Sequence, residues 1–224
     1  MAERASYLRG FTLDALRQWP DNRILTIACH GHSVPAGYFA TPRVDTFSAY
    51  PHLWHRRLKE RFPWALFNVI TTAIGGEHAE SGAARFAADV LSLRPDLVTI
   101  DYGLNDRGLG LDRARAAWST MIEQARAAGA AVLLLTPTWD ARDETPGETP
   151  GAPRDNALAQ HARLIRDLAR DADVGLADPF AAFGRYVEQG GDLADLLSWP
   201  NHPNRRGHEL IVDELMRWVP LLLP

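Results

Sequence analysis

Five short apolar runs punctuate the chain, at 23–29, 65–70, 97–102, 131–136 and, more weakly, 174–177. Each is too short and too continuously apolar to be a surface helix, so each reads as a buried strand. The stretches between them carry a different period. Ala114, Trp118, Met121, Ile122, Ala125 and Ala128 recur at three- and four-residue steps, one apolar helix face that stops at Gly129. Leu158, Ala162, Ile165, Leu168 and Ala169 repeat that spacing. A helix is also predicted over 83–91, and a last one from about Asn204, a good N-cap, to Trp218. Strands alternating with helices predict an α/β fold in which helices cover both faces of a parallel sheet of about five strands, as a single domain over 1–224. One stretch departs from the alternation. Residues 138–153 hold three prolines and two glycines among charged residues, and read as a long loop able to cover a pocket beside the strand that ends at Thr136.

Composition narrows the picture. A chain of 224 residues, 46% hydrophobic and 23% charged, suits one globular domain. A net charge of -4 and a pI near 6.1 lack the basic surplus that a phosphate backbone demands, so nucleic acid is not an expected partner. The N-terminal residues lack the apolar core of a signal peptide, and no run reaches the roughly 20 apolar residues of a membrane span, so a cytoplasmic address is expected. Cys29 has no partner for an internal disulfide and is expected to be a small buried thiol without chemistry.

In open α/β sheets the ligand crevice lies beyond the carboxyl ends of the strands, so the residues following each run are the candidates. The first run ends in Gly31, His32, Ser33, Val34, Pro35, Ala36, Gly37, a small turn that exposes a serine hydroxyl as a nucleophile requires. After the second, Gly75 and Gly76 let the backbone approach a ligand and present an unhindered N–H to an oxyanion. The third runs into Gly103, Leu104, Asn105, Asp106, where Asn105 is a side-chain donor to developing negative charge and Asp106 is expected to be structural. Near the C-terminus His202 sits between Pro200 and Pro203, a rigid setting for a general base. Taken singly, each has an ordinary reading as turn, cap or surface residue. Their occurrence together, in order and at strand ends, sets them apart.

Ser33, Gly76, Asn105 and His202 resemble the four signature residues of the SGNH (GDSL-like) hydrolase superfamily, and the similarity spans nearly the whole chain. G-L-N-D and N-H-P-N-x-x-G-H are the closest blocks, G-G-E resembles the oxyanion-glycine block, and the first block is looser. The resemblance implies a three-layer α/β/α, flavodoxin-like domain that hydrolyses carboxylic esters through a serine acyl-enzyme. It makes Ser33 the nucleophile, His202 the base, and the N–H groups of Ser33 and Gly76 with the Asn105 amide the oxyanion donors. No metal or organic cofactor is implied, and the partner is a small-molecule ester. The chain departs from the family twice. His32 stands where GDSL-type members carry Asp before the serine, and Trp199 stands where the last block, D-x-x-H, carries its acid. Something must accept the Nδ1–H of His202, and two candidates are visible: Asp195, seven residues earlier, and the backbone carbonyl of Trp199, favoured because a neutral acceptor can orient the ring and Pro200 stiffens the loop.

Two rivals stand beside this reading. Paired histidines, His30 with His32 and His52 with His55, have spacings that can converge on a cation, though no H-E-x-x-H or cysteine set accompanies them. Seven tryptophans and the missing acid would also suit a silent carbohydrate-binding module on the same fold. Trp139 and Trp199 are the candidates to line an acyl or sugar pocket. The superfamily admits lysophospholipase-, thioesterase- and carbohydrate-deacetylating activities. Short acyl esters, such as those of acetylated sugars, are the expected substrates, and the sequence does not set the oligomeric state.

Overall fold

A computed structural model describes residues 2–143 and 156–220. The elements follow in the order α1 (Arg9–Ala15), β1 (Ile24–Gly31), α2 (Ser33–Ala36), α3 (Tyr50–Arg61), β2 (Leu66–Thr71), α4 (Ala79–Asp89), β3 (Leu97–Asp101) and α5 (Leu111–Ala127). Then come β4 (Ala131–Leu135), α6 (Ala157–Asp171), β5 (Gly175–Ala177), α7 (Pro179–Glu188), β6 (Leu197–Trp199), β7 (His202–Pro203) and α8 (Arg205–Met216). All five apolar runs form strands of one parallel sheet, in the order β2-β1-β3-β4-β5. The central strands β3 and β4 are buried along nearly their whole length, whereas the edge strand β2 alternates exposed and half-buried positions. That contrast follows from position, because only inner strands are covered on both faces.

Helices α4, α5 and α6 pack side by side on one face, and α3 and α8 on the other, with Phe11 of α1 stacked on Phe67 of β2. One continuous core joins both layers through Trp54, Trp118 and Trp218, all fully buried. The local signals act as expected at the helix ends. Gly129 takes φ 81° just beyond α5, and the Asn204 side chain caps α8 by accepting from the N–H of Gly207. The long loop expected over 138–153 is described as far as 143, where a single 3-10 turn, Ala141–Asp143, begins it; the remainder lies outside the described residues. Among the described residues no helix is long and apolar enough to cross a membrane.

The strand order reverses between β1 and β3: the connection after β1 leads outward to β2, and the one after β3 leads the other way to β4. Such a switch point opens a crevice at the carboxyl ends of the two strands. Ser33 follows β1 there and Asn105 follows β3.

Candidate active site

Ser33 is the first residue of α2, a single turn begun directly from β1. The approach is tight, since a side chain at Gly31 would run into the Asp101 carbonyl of β3. His32 is the N-cap: its Nδ1 accepts the N–H of Val34 at 3.2 Å. Nδ1 therefore presents a lone pair, which puts the ring N–H on Nε2, facing Asp101 Oδ1 at 3.4 Å. The histidine thus does as a cap what a small acceptor side chain does at other helix starts. The Ser33 N–H has no hydrogen-bond acceptor among the described residues, as befits a group at the open N-terminus of a helix.

His202 reaches this turn from the far end of the chain. Its Nε2 lies 3.0 Å from Ser33 Oγ, within range for proton transfer between the two. Its Nδ1 lies 2.8 Å from the carbonyl oxygen of Phe39, so the ring donates through Nδ1 and is left with Nε2 as acceptor. Burial lowers the His202 pKa from the ordinary value of 6.5, against a raising contribution from the Phe39 carbonyl. The imidazole is accordingly neutral and basic at neutral pH.

Neither expected acceptor occupies that place. Trp199 pairs with His202 across the antiparallel β6–β7 hairpin. In such a ladder the carbonyls lie in the plane of the strands while side chains stand out of it, so the ring leaves its own hairpin and meets the turn after α2. Asp195 is spent elsewhere, accepting from the Tyr186 hydroxyl at 2.8 Å and pairing loosely with Arg206. The acceptor is a neutral carbonyl, but it comes from Phe39. That residue is well held: its N–H donates to the Arg43 carbonyl at 3.0 Å, and its ring stacks on the buried His208 of α8, centroids 5.5 Å apart. No side-chain type marks a carbonyl as an acceptor, which is why sequence reasoning passed over it.

The oxyanion candidates come from the other side of the crevice. Gly76 has φ 82° in the turn that leads to α4, a conformation favouring glycine. Asn105 follows β3 and donates from Nδ2 to the Glu77 carbonyl at 2.8 Å, which leaves its second amide hydrogen available. Asp106 is fully buried and binds the Ala79 N–H at 2.8 Å and the Trp118 indole at 2.6 Å, tying the loop to α4 and α5. It has the structural role expected of it. Trp139, by contrast, is packed into a satellite cluster with Phe183 and Val187, its indole donating to the Phe180 carbonyl at 2.9 Å, rather than open to a ligand. Trp199 remains 47% exposed beside His202. Sequence reasoning also missed the Asp140 carboxylate, fully buried and bound by Arg107 and Arg142, next to a hydrogen bond of 2.8 Å from Ala141 to the Pro200 carbonyl of the His202 loop.

His30 and His32 do not converge on a cation, since the former binds Thr72 and Tyr102 under α4 and the latter caps α2. Among the described residues no group of three or more His, Cys, Asp or Glu could hold a metal ion.

The model of the GDSL-like lipase/acylhydrolase family matches residues 29–210, from the end of β1 into α8. The chain belongs to that family. Among curated proteins it is 22% identical to an acetylxylan esterase of Geobacillus stearothermophilus over 175 residues, 72% of this chain and 76% of the relative. It is 33% identical to esterase TesA of Pseudomonas aeruginosa over a shorter stretch, 41% of this chain and 46% of that one. Among solved structures, the Geobacillus acetylxylan esterase Axe2 superposes with a TM-score of 0.74 at 20% identity, covering 88% of this chain and 95% of its own. A two-domain esterase active on acetylated mannans gives a TM-score of 0.75 at 24% identity, with 95% of this chain spanning 52% of that one. The chain is thus a carboxylic ester hydrolase on the SGNH fold.

Proposed function

We propose that the protein cleaves short-chain acyl esters of carbohydrates, acetyl esters first among them, with Ser33 as nucleophile and His202 as general base. The observation that carries this is the relay from the Phe39 carbonyl through both nitrogens of His202 to Ser33 Oγ, with contacts of 2.8 and 3.0 Å. His202 Nε2 takes the hydroxyl proton as Oγ attacks the ester carbonyl carbon. The resulting tetrahedral oxyanion is bound by the Ser33 and Gly76 N–H groups and the free hydrogen of the Asn105 amide. Collapse expels the alcohol, protonated by His202, and leaves an acyl-Ser33 that water resolves with His202 again as base.

A small acyl group is favoured by Tyr38. Its ring lies 6.2 Å from the His202 ring and against Gly75, where a Cβ would meet it at 2.9 Å, so it walls the space between base and oxyanion turn. The acetyl-carbohydrate preference rests on the substrates of the two relatives, an acetylxylan and an acetylated mannan. Exposed Trp199 beside the base offers an apolar face of the kind sugar rings pack on.

The test combines p-nitrophenyl esters of graded chain length with acetylated xylo- and manno-oligosaccharides. Acetate release from the oligosaccharides, a rate falling steeply beyond short acyl chains, and complete loss in Ser33→Ala with an unchanged melting curve are expected. Fluorophosphonate labelling at a serine other than Ser33 would overturn the assignment.

A further inference from the structure

The turn that carries Gly76 is anchored at its start, where the Ile74 N–H donates to the Gly31 carbonyl at 3.0 Å and Tyr38 packs on Gly75, but it is open at Gly76 itself. A Cβ placed on Gly76 would meet nothing within 4 Å, and the hydrogen bond that closes the turn, from Glu77 N–H to the Ile74 carbonyl, is long at 3.4 Å. Yet two of the three oxyanion donors depend on this turn. The Gly76 N–H belongs to it, and the Asn105 amide is oriented by the Glu77 carbonyl at 2.8 Å. An oxyanion site must hold its donors still before the reaction begins, because the benefit lies in dipoles that need no reorganisation.

What fixes Glu77 is its side chain. Arg85, two turns into α4, reaches back with Nε at 3.1 and 2.9 Å from the two carboxylate oxygens and Nη2 at 2.6 Å from Oε2. Both side chains are largely covered, at 16% and 17% exposure, so solvent screens the pair less than a surface pair. Arg85 is itself braced by Asp89 at 3.0 Å and by the Tyr102 hydroxyl at 3.3 Å, and Tyr102 in turn contacts His30 of β1 at 3.0 Å. A helix, two neighbouring strands and the turn are thereby referred to one guanidinium, whose planar fork admits one orientation of the carboxylate.

We propose that Glu77 and Arg85 are positioning residues of the ester hydrolase: their forked pair holds the Gly76 N–H and, through the Glu77 carbonyl, the Asn105 amide in the oxyanion geometry. This rests on the hydrolase reading above. In this role neither side chain binds the substrate, so disturbing the pair acts on transition-state stabilisation and leaves ground-state binding nearly intact.

The experiment measures p-nitrophenyl acetate hydrolysis by Glu77→Gln and Arg85→Lys, each alone and combined with Asn105→Ala, with thermal melts of every variant. Each single change is expected to lower kcat by about tenfold with KM within about twofold, as displacements below an ångström in a preorganised site do. In the Asn105→Ala background the same change is expected to cost clearly less, because one of the groups it positions is gone. Arg113→Ala, which breaks the exposed pair between Arg113 of α5 and Glu80 of α4, should leave kcat unchanged. Full kcat in both single variants while Asn105→Ala is impaired would overturn the clamp and leave the hydrolase reading standing. Equal losses in both backgrounds, tracking a lowered melting temperature, would reduce the pair to fold support and overturn it too. Unimpaired Ser33→Ala and Asn105→Ala enzymes would overturn the hydrolase reading and the clamp together.

Discussion

A base held by a carbonyl titrates differently from one held by a carboxylate, and the pH profile of hydrolysis separates the two. As the proposed base, His202 would work only while Nε2 is unprotonated, so the acid limb of kcat/KM would report its pKa in the free enzyme. A carboxylate against Nδ1 would favour the imidazolium and lift that pKa by about 1–3 units, placing the limb above pH 7. Here Nδ1 meets the Phe39 oxygen at 2.8 Å, and burial lowers the pKa below the ordinary 6.5. The sign is therefore opposite: activity persists further into acid than an ordinary imidazole allows. At pH 5.5 an imidazole of pKa 6.5 is neutral in about one molecule in eleven, and one raised to 7.5 in about one in a hundred, so His202 should retain upwards of about ninefold more active base than a carboxylate-paired histidine. The assay is kcat/KM for p-nitrophenyl acetate from pH 4 to 9 at constant ionic strength, with a folding check at each pH and an NMR titration of the His202 ring. Asp195→Asn, altering a carboxylate engaged by Tyr186, should leave the limb where it is. An acid limb above 6.5, or an inactive Asp195→Asn enzyme, would refute the neutral acceptor.

Asn105→Ala removes the proposed oxyanion donor, aimed on that reading at charge that exists mainly in the transition state, so kcat should fall by about 10² to 10³ with KM little changed; an equal effect on binding would make Asn105 a substrate-positioning group. Acid should also weaken the fold. Burial lowers the pKa of His30 to about 4 and of His208 to about 3, so both stay neutral in the native state while the unfolded chain takes up protons near 6.5. Stability then falls as pH drops through 6.5, by about 2.7 kcal/mol per unit once both sites are protonated in the unfolded chain, and a urea midpoint unchanged between pH 7 and 5 would contradict this.

Much of the fold was legible because its strands are buried on both faces. Leu97, Val98, Ile100 and Val132 to Leu135 have no solvent side, so their runs are continuous and cannot be mistaken for amphipathic surface. The last helix was legible through Asn204 and the end of α5 through Gly129, where backbone conformation selects the residue. The β6–β7 hairpin was not: three residues against two, held in part by the Ser198 hydroxyl bonding the His202 and Pro203 carbonyls, leave no periodic trace. Helix α3 was also silent, since its buried Leu53, Trp54 and Leu58 are spaced among a run of basic residues.

The site divides along the same line. Ser33, Gly76, Asn105 and His202 stood out because each is a residue type selected by what its own atoms do, whether a hydroxyl, an unhindered positive φ, an amide or an imidazole. The groups that hold them were hidden because they act through atoms that any residue supplies or through partners distant in sequence. Phe39 offers a main-chain oxygen across 163 positions, and Glu77 offers one to Asn105 across 28. His32 shows the intermediate case. At the sequence level it departs from the family's first block, yet its Nδ1 caps the turn that carries Ser33, while its Nε2 faces Asp101 at the end of the neighbouring strand. The requirement at that position is an acceptor for the Val34 N–H, and more than one side chain meets it. The Nδ1 of His202 likewise requires an acceptor, not an acid, to set its tautomer. Departures from a motif at capping and orienting positions are therefore weak grounds for judging a site silent, whereas a change at Ser33 or at Nε2 of His202 would remove an atom that forms or breaks a bond.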